Sequence, residues 1–408
     1  MRPPLPDGPY LVVGLARSGL AAARMLRDRG EVIGTDSGSP EVPDDVEAHL
    51  GVDGLDLLDR VASVVKSPGV PNEAPVIVAA RERGLPVLGE LELAWRLLPN
   101  RFIAVTGTNG KTTTTELLGA IWRAAGLPVA LAGNVGTPLA ALVGEVDEST
   151  TIVCEVSSFQ AEDSEAFAPD MAVLLNVTED HLDRHGSFEA YREAKLRVFA
   201  NQTPEQLAVV PPGVEVPGAA RRIEFGELPL PAKEIRLRGA HNVENAMAAS
   251  AAAIASGVPE DAVAAALRTF PGVPNRLEEV GSVNGVLYVN DSKATNVSSA
   301  VRGIEAFDGG VHLILGGSLK GGGFEALREA VESRCVAAYL IGEAAERLEQ
   351  DLAGTVPLQR SGDLATAVLD AAAKPGEVVL LSPACASFDQ FRDYEERGER
   401  FRALVPRA

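Results

Sequence analysis

The segment AVTGTNGKTTT, Ala104–Thr114, joins an apolar, strand-like run to the helix-like stretch TTELLGAIWRAAG. Glycines let the backbone turn so that consecutive N–H groups face an anion, and a following helix N-terminus adds its dipole. Lys111 is spaced to reach β- and γ-phosphates, and the Thr112 hydroxyl to bind Mg²⁺. A complete loop of this kind has its first glycine at position 105, which here is Val105. A glycine turn that caps a helix by chance is disfavoured because strand, loop and helix are in register, so we predict a nucleoside triphosphate site.

Short β-branched runs alternate with stretches of helical period along almost the whole chain, which is typical of parallel sheets with crossover helices. We therefore predict an α/β protein of three domains, each a mostly parallel sheet with crossover helices. The predicted domains are a Rossmann-like one at 1–92, a central P-loop ATPase at 93–272 and a Rossmann-like one at 273–408. The Pro/Gly-rich segment at 209–220 is predicted to be a surface loop or a β-rich excursion within the central domain.

Composition and charge restrict the class of partner. The net charge of −20 over 408 residues argues against nucleic acid or an anionic membrane as the main partner. The three cysteines, Cys154, Cys335 and Cys385, are widely separated, which favours a reducing compartment and no structural zinc. Neither a signal peptide nor a run of ~20 apolar residues is evident. We expect a cytoplasmic, soluble protein that binds small molecules and is a monomer.

The first block contains a degenerate dinucleotide fingerprint, VVGLARSGLAAARML. Gly14 and Gly19 are retained, but Ala16 stands where the second glycine is expected, which disfavours NAD chemistry. Asp36 ends the next strand, where an acid can bind a ribose. A nucleotide site and a tight strand–helix turn that needs glycine explain this pattern about equally well.

Polar residues follow two strands of the second block. Glu155, with Ser158 just beyond, ends an apolar strand in the same block as Thr112, which suits a Mg²⁺ bound to ATP phosphates, although a solvated acid is the alternative. The segment NVTEDHLDRHG is a candidate second metal or acid–base cluster, in which one of the two histidines, His181 and His185, is expected to be only a surface residue.

Other polar residues are ambiguous from their local sequence. Lys195, on an amphipathic stretch, has the pattern of an ordinary solvated lysine. The pair His241 and Asn242 is expected to cap a helix. The charged residues of NRLE and NDSKATN lie at a block boundary and a strand end, where they would suit a nucleotide; they are Arg276, Asp291 and Lys293.

The motifs TGTNGKTT, EVSSFQ, EDHLDRHG, AHNVENAMAA and NDSKATN occur in this order, and by them the chain resembles the Mur ligase family from Gly14 to Phe401. These are ATP-dependent, amide-forming enzymes of peptidoglycan precursor synthesis. Family members also lack the first loop glycine, so the resemblance accounts for Val105. The segment LSPACASFDQFRDYEERGERF is similar to the D-glutamate-adding branch of the family.

The resemblance implies a role for each matching residue, and a carboxylate activated by ATP as an acyl phosphate. It implies catalytic roles for Lys111, Glu155, His181 and Lys195. It implies two Mg²⁺ sites, with Thr112, Glu155, His181 and Lys195 as ligands, Lys195 being carbamylated by CO₂. The implied ATP-binding residues are Gly107, Thr108, Asn109, Gly110, Lys111, Thr112, Thr113, Asn242, Asn245, Arg276, Asp291 and Lys293.

The same resemblance implies a UDP-substrate site at residues 1–92 and an amino-acid site in the C-terminal domain. The implied UDP-substrate residues are Arg17, Ser18, Asp36, Ser37, Gly69, Asn134, Ser158 and His181. The implied D-glutamate residues are Thr295, Lys320, Ser387 and Tyr394. The chain departs from the family pattern at Asn275, where a histidine often precedes the arginine, and at Tyr394, where a phenylalanine can occur.

Two alternatives to D-glutamate ligation remain open at this point. One is another Mur-type ligase that adds L-alanine, a diamino acid or, to folate, glutamate. The other belongs to a different class, a P-loop nucleotide switch that hydrolyses ATP only to change shape.

Overall fold

The computed structural model describes residues 2–319 and 322–405. Its strands are β1 (Tyr10–Val13), β2 (Val32–Asp36), β3 (Glu47–Leu50), β4 (Ser63–Lys66), β5 (Val87–Gly89), β6 (Phe102–Thr106), β7 (Val129–Gly133), β8 (Thr151–Glu155), β9 (Met171–Leu174), β10 (Leu207–Val210), β11 (Arg221–Glu224), β12 (Glu278–Val283), β13 (Val286–Asn290), β14 (Val311–Gly316), β15 (Cys335–Ile341), β16 (Leu358–Gly362) and β17 (Val378–Leu381).

The α-helices are α1 (Arg17–Leu26), α2 (Pro75–Glu82), α3 (Glu90–Leu97), α4 (Lys111–Ala124), α5 (Ser158–Glu162), α6 (Leu182–His185), α7 (Phe188–Ala200), α8 (Ala240–Ala255), α9 (Glu260–Thr269), α10 (Val297–Glu305), α11 (Arg328–Arg334), α12 (Ala345–Asp351), α13 (Leu364–Asp370) and α14 (Tyr394–Leu404). Among the described residues, no helix has both the length and the apolar composition that a membrane crossing requires.

Three sheets organise these elements, which confirms the predicted fold class. The first has the strand order β3-β2-β1-β4-β5 and the second β11-β10-β9-β6-β8-β7, and the pairs within both are parallel. The third has the order β12-β13-β17-β14-β15-β16, in which β12 is antiparallel to β13 and the other pairs are parallel. The Pro/Gly-rich segment at 209–220 begins inside β10 and connects it to β11.

Contacts between residues divide the chain into two compact units. Unit 1 comprises Met1–Pro231 and Glu244–Leu267, and unit 2 comprises Ala232–Val243 and Arg268–Ala408. Unit 1 contains the first two sheets and unit 2 the third. In unit 1 one core cluster contains apolar side chains from both sheets, and in it the Phe167 ring lies 5.6 Å from that of Trp95 and 6.4 Å from that of Phe102. The domain boundaries predicted at residues 92 and 272 stay a prediction.

Buried charges also connect the two sheets of unit 1. Lys66, at the end of β4, is fully buried, and its Nζ lies 2.6 Å from Asp163 Oδ2 and 3.5 Å from Glu162 Oε1. Glu92 on α3 is fully buried and accepts hydrogen bonds from the backbone N–H groups of Ala166 and Phe167. Neither charge was identified from the sequence.

We expect Lys66→Met to lower the free energy of unfolding by about 3 kcal/mol, because removing one partner leaves a buried charge uncompensated. Burial already raises the pKa of Asp163 to about 6, and Lys66 opposes that rise. Without Lys66 the pKa of Asp163 rises further, so at low pH the Asp163 carboxylate is protonated and no longer a buried charge. The loss of unfolding free energy is therefore smaller at low pH. Denaturant unfolding should therefore show a larger loss at pH 8 than at pH 5.

The control for this prediction is Arg83→Met. Arg83 forms an exposed ion pair with Asp59 at 2.7 Å, and such pairs contribute about 0–1 kcal/mol. Equal losses for the two variants, or a Lys66→Met loss that grows as the pH falls, would contradict the role assigned to Lys66.

Candidate active site

The phosphate-type loop follows the buried strand β6 and precedes α4. Val105 stands at the position of the missing glycine. It is a fully buried residue of β6, so its side chain packs in the core rather than facing the loop. Gly110 has a φ of 88°, and a Cβ there would overlap Asn245 Oδ1, so only glycine fits. Gly110 is also the N-cap of α4 and offers no side-chain cap to its first turn. This strand–loop–helix arrangement is typical of phosphate-binding sites.

Asn176, two residues after the end of β9, holds the loop in place. Its side-chain oxygen accepts from the Asn109 N–H at 2.9 Å, and its amide donates to the Asn109 carbonyl at 3.1 Å. Its own backbone carbonyl accepts from the Thr108 N–H at 2.9 Å. Asn176 was not predicted as a site residue. The sequence feature that could have identified it is an asparagine just after a buried strand.

Two lysine amines converge on one carbonyl oxygen of the loop. Lys111 Nζ donates to the carbonyls of Gly107 and Thr108 at 2.9 and 3.0 Å. Lys195 Nζ donates to the same Gly107 carbonyl at 2.9 Å. Burial first, and then the charge of Lys111, lower the pKa of Lys195 to about 7. Two amines therefore meet at one point of the loop, and the Lys195 amine is only partly protonated near pH 7.

The sequence-based interpretation of Lys195 as a solvated residue was wrong. Its exposed fraction is 1%, because Lys195 lies on the buried face of α7 together with Tyr191 and Val198. These residues are four and three positions apart, the spacing of one helix face. Helical period alone did not reveal that this face, rather than the opposite one, is turned inward.

Tyr191 was missed and connects Lys195 with the loop. Lys195 Nζ lies 4.7 Å from the centre of the Tyr191 ring, and the Tyr191 hydroxyl lies 2.9 Å from Thr108 Oγ1. Thr108 Oγ1 donates its single proton to the carbonyl of Thr178 at 3.1 Å, so Tyr191 donates to Thr108. Burial raises the pKa of Tyr191 to about 12, which keeps that proton on the phenol.

Two of the candidate cation ligands, Glu155 and Thr112, are buried oxygen donors. Glu155 is buried at the end of β8, in register with Val105 of β6, and accepts from Asn134 Nδ2 at 3.0 Å. Thr112 is buried in the first turn of α4. No cluster of three or more His, Cys, Asp or Glu side chains suited to a metal occurs among the described residues. The residues fit a cation that takes further oxygens from phosphate or a modified lysine, as Mg²⁺ does.

The two histidines differ in burial. His181, the candidate ligand, has a 48% exposed side chain and precedes α6, with its ring 4.9 Å from that of Phe159 and 6.3 Å from that of Tyr191. His185 is the more buried one, and its Nε2 lies 3.0 Å from Ser158 Oγ. His181 and Lys195 thus share Tyr191 as a neighbour.

A cavity of about 640 Å³ lies at the carboxyl ends of β1, β2 and β4, where ligands bind open parallel sheets. Its lining includes six of the predicted UDP-substrate residues, namely Arg17, Ser18, Asp36, Ser37, Gly69 and Asn134, but neither Ser158 nor His181.

Of the two interpretations of the first-block glycines, the structure bears on the tight strand–helix turn, and the nucleotide site stays a prediction. A Cβ on Gly19 would overlap the Gly14 carbonyl, so this tight strand–helix contact requires glycine. Asp36 shapes the rim of the cavity, because its two carboxylate oxygens accept from the N–H groups of Leu15 and Gly38, both at 2.8 Å. Arg17 donates to the carbonyl of Gly136 at 3.1 Å.

In unit 2, predicted residues cluster at the carboxyl ends of β13 and β17. Lys293 Nζ lies 4.9 Å from the centre of the Tyr394 ring, and Ser387 is buried. The buried Asp291 accepts from Ser382 Oγ at 2.8 Å and from the Leu277 N–H at 3.3 Å, and burial raises its pKa to about 7. Thr295 follows on the same connection from β13.

Three further predicted residues are Lys320, Asn245 and Asn242. Lys320 lies outside the described residues. Asn245, in unit 1, is buried with its Oδ1 against Gly110. Asn242, in unit 2, donates to the carbonyl of Arg238 at 2.7 Å; α8 begins before it, at Ala240.

Arg397 on α14 is a fully buried guanidinium that was not predicted. It donates to Ser292 Oγ at 2.9 Å, and to the carbonyls of Ser292, Cys385 and Ala386 at 2.8, 3.0 and 3.3 Å. It thereby connects the loops that follow β13 and β17, next to Ser387. Burial lowers its pKa to about 10. Nothing in its local sequence separates it from the exposed arginines nearby.

Comparison with known families gives three matches along the chain. Residues 9–89 match the family model described as "Mur ligase MurD-like, N-terminal domain", residues 105–216 "Mur ligase middle domain" and residues 275–385 "Mur ligase, glutamate ligase domain".

Curated relatives match over nearly their whole length. The UDP-N-acetylmuramoylalanine--D-glutamate ligase of Acidobacterium capsulatum is 44% identical over 97% of this chain and 95% of that protein. The protein of the same name from Solibacter usitatus is 42% identical over 97% of both chains. Among solved structures, the MurF ligase of Thermotoga maritima in complex with ADP superimposes with a TM-score of 0.62 at 18% identity, over 98% of this chain and 94% of that one. By these matches the chain belongs to the Mur ligase family.

Proposed function

We propose that this chain is an ATP-dependent ligase that joins the L-alanyl carboxylate of UDP-N-acetylmuramoyl-L-alanine to the amine of D-glutamate, in peptidoglycan precursor synthesis. The structural observation that carries the proposal is the convergence of Lys111 and Lys195 on the Gly107 carbonyl of a phosphate-type loop. Relatives 42–44% identical over nearly the full length have this activity in their names, which favours D-glutamate over the other amino acids of the family.

The reaction is a phosphoryl transfer followed by an acyl substitution. A carboxylate oxygen of the alanyl group attacks the γ-phosphorus of ATP, and the bond to the ADP oxygen breaks. The amine of D-glutamate then attacks the carbonyl carbon, loses a proton, and inorganic phosphate leaves with the oxygen that made the attack. Lys111 neutralises the charge that spreads over the transferring phosphoryl group, and the loop N–H groups orient it.

Lys195 is proposed to work as its carbamate. A neutral amine attacks CO₂ and releases a proton, and the pKa of about 7 leaves much of the Lys195 amine neutral near pH 7. The product is an anionic oxygen donor that Mg²⁺ prefers, beside Thr112, Glu155 and His181. When bound there, two Mg²⁺ ions would supply Lewis-acid neutralisation of phosphate charge. The remaining N–H of the carbamate can still donate to the Gly107 carbonyl.

The other roles are assigned to the three predicted domains. Residues 1–92 bind the UDP-linked substrate in the cavity beside Asp36, and 93–272 bind ATP through the loop. Residues 273–408 bind D-glutamate at the strand ends connected by Arg397, and contribute Arg276, Asp291 and Lys293 to nucleotide binding. We further propose that the enzyme is cytoplasmic and works as a monomer.

Phosphate release from ATP tests the proposal against its alternatives. We expect release that requires both UDP-N-acetylmuramoyl-L-alanine and D-glutamate, and no release with L-alanine, a diamino acid or L-glutamate in place of D-glutamate. Release that is independent of any amino acid would indicate a nucleotide switch. Release with a different amino acid would indicate another ligase of the family.

Lys320→Ala is expected to raise the KM for D-glutamate roughly tenfold or more and to leave the KM for ATP unchanged. D-Glutamate has two carboxylates, and a charge-assisted hydrogen bond to one is worth about 1.5–3 kcal/mol. Lys374→Ala, an exposed lysine just before β17, is the control. Unchanged D-glutamate kinetics in the Lys320 variant would remove this residue from the amino-acid site.

A further inference from the structure

Asn275, which directly precedes Arg276, is held in an unusual backbone conformation. Its φ is 63°, in the left-handed region that asparagine tolerates better than most residues, and its exposed fraction is 5%. Its backbone N–H donates to Glu278 Oε2 at 2.8 Å, and its carbonyl accepts from the Lys293 N–H at 3.1 Å. Its side-chain oxygen accepts from Asn290 Nδ2 at 2.8 Å.

Arg402, in the last turn of α14, completes this set of contacts from another element. Its Nη1 donates to Asn275 Oδ1 at 3.2 Å and to Glu278 Oε2 at 2.8 Å. Glu278 Oε2 also accepts from Asn290 Nδ2 at 3.0 Å. A Cβ on Gly398 would overlap Asn275 Oδ1, so glycine at that position lets α14 approach Asn275 closely.

These contacts fix the backbone conformation beside two charged residues, Arg276 and Lys293. Arg276 lies between two residues with left-handed backbone conformation, Asn275 and Leu277. The φ of Leu277 is 45°. The Leu277 N–H donates to Asp291 Oδ1, and the Arg276 N–H donates to the Val273 carbonyl at 3.1 Å. The hydrogen bond from the Lys293 N–H to the Asn275 carbonyl ties the backbone of Lys293, the second charged residue, to Asn275.

We propose that Asn275 and Arg402 are a pair of positioning residues for nucleotide binding by unit 2. Arg402 neutralises Glu278 and supports the Asn275 side chain, and Asn275 in turn sets the backbone direction of Arg276 and Lys293. The proposal rests on the proposed function in one respect, that Arg276 and Lys293 bind ATP. Neither member of the pair needs to touch the nucleotide.

The experiment uses the full chain and three measurements, namely ADP binding by calorimetry, the KM values for the three substrates, and the melting temperature. Arg402→Ala is expected to weaken ADP binding and to raise the KM for ATP by ~5- to 20-fold, with the KM for D-glutamate and for the UDP-linked substrate changed less than about twofold. Arg402→Lys keeps a cation beside Glu278 and should recover most of this loss. Asn275→Leu, which removes the acceptor, should resemble Arg402→Ala.

Arg400→Ala is the matched control, because Arg400 is on the same helix, its side chain is 68% exposed, and its ion pair within the described part of the chain is with Glu396, at 3.7 Å. It should leave ADP binding unchanged. Unchanged ADP binding in Arg402→Ala, or an equal rise in all three KM values, would overturn the positioning role. Should Asn275→Leu not fold, the two Arg402 variants decide.

Failure of the proposed function gives a different pattern. If the wild-type chain binds ADP but makes no product with D-glutamate, the ligase proposal fails while the ADP series still decides the role of the pair. If the wild-type chain does not bind ADP, both proposals are wrong.

Discussion

Lys111→Ala is expected to lower kcat for ligation by at least ~10³-fold, a loss comparable to or greater than that seen when a preorganised donor to a developing charge is removed. Lys111 donates to the carbonyls of the phosphate-type loop and stands at the start of α4, where an anion would bind. The dissociation constant for UDP-N-acetylmuramoyl-L-alanine should change less than about twofold, because Lys111 does not line the cavity beside Asp36.

Calorimetry with the UDP-linked substrate and a phosphate-release assay measure these two effects. Arg123→Ala, an exposed residue near the end of the same helix, is the control and should keep full activity. If Lys111→Ala loses substrate binding and ligation together, the assignment of the two ligands to separate sites is wrong.

Lys195→Ala should be nearly inactive and should be partly rescued by a short carboxylate such as acetate or formate. The substitution vacates buried space next to the Gly107 carbonyl and the Tyr191 ring, and a small carboxylate can return an oxygen anion to it. Arg192→Ala, exposed on the same helix, should behave like the wild type with or without additive. Full activity of Lys195→Ala without additive would exclude the carbamate.

The carbamate can also be observed directly. With ¹³C-labelled CO₂, the wild-type chain should show a carbamate carbon signal that Lys195→Ala lacks. Carbamate forms from the neutral amine, and the pKa of Lys195 is about 7. At constant CO₂ the signal should therefore weaken as the pH falls below about 7 and strengthen as it rises above it. A signal of equal strength in both proteins would assign it to another amine.

Much of the fold was predictable because strands buried on both faces are short apolar runs. The runs that became β1, β6, β14 and β17 are of this kind. Four of the six sheet-edge strands were missed: Glu47–Leu50, Arg221–Glu224, Glu278–Val283 and Leu358–Gly362 contain charged or polar residues, as edge strands commonly do. Their pairing partners, rather than their own composition, make them strands.

The candidate site was predictable where its residues are adjacent in sequence. The loop from Gly107 to Thr113 carries its chemistry in one motif. Tyr191 and Arg397 were missed because their roles depend on partners far along the chain: Tyr191 is 83 residues from Thr108, and Arg397 is 105 residues from Ser292. Helical period predicted a helix around Lys195 but not which of its faces would be buried.

In the proposed reaction the phosphate loop activates a carboxylate, and D-glutamate then displaces the phosphate. Its most direct test uses UDP-N-acetylmuramoyl-L-alanine labelled with ¹⁸O in the alanyl carboxylate, incubated with ATP, Mg²⁺ and D-glutamate. Mass spectrometry should find one ¹⁸O in each inorganic phosphate formed and a D-glutamyl amide that retains the other. Unlabelled phosphate would mean that water, rather than the substrate carboxylate, attacks ATP, and would contradict the account.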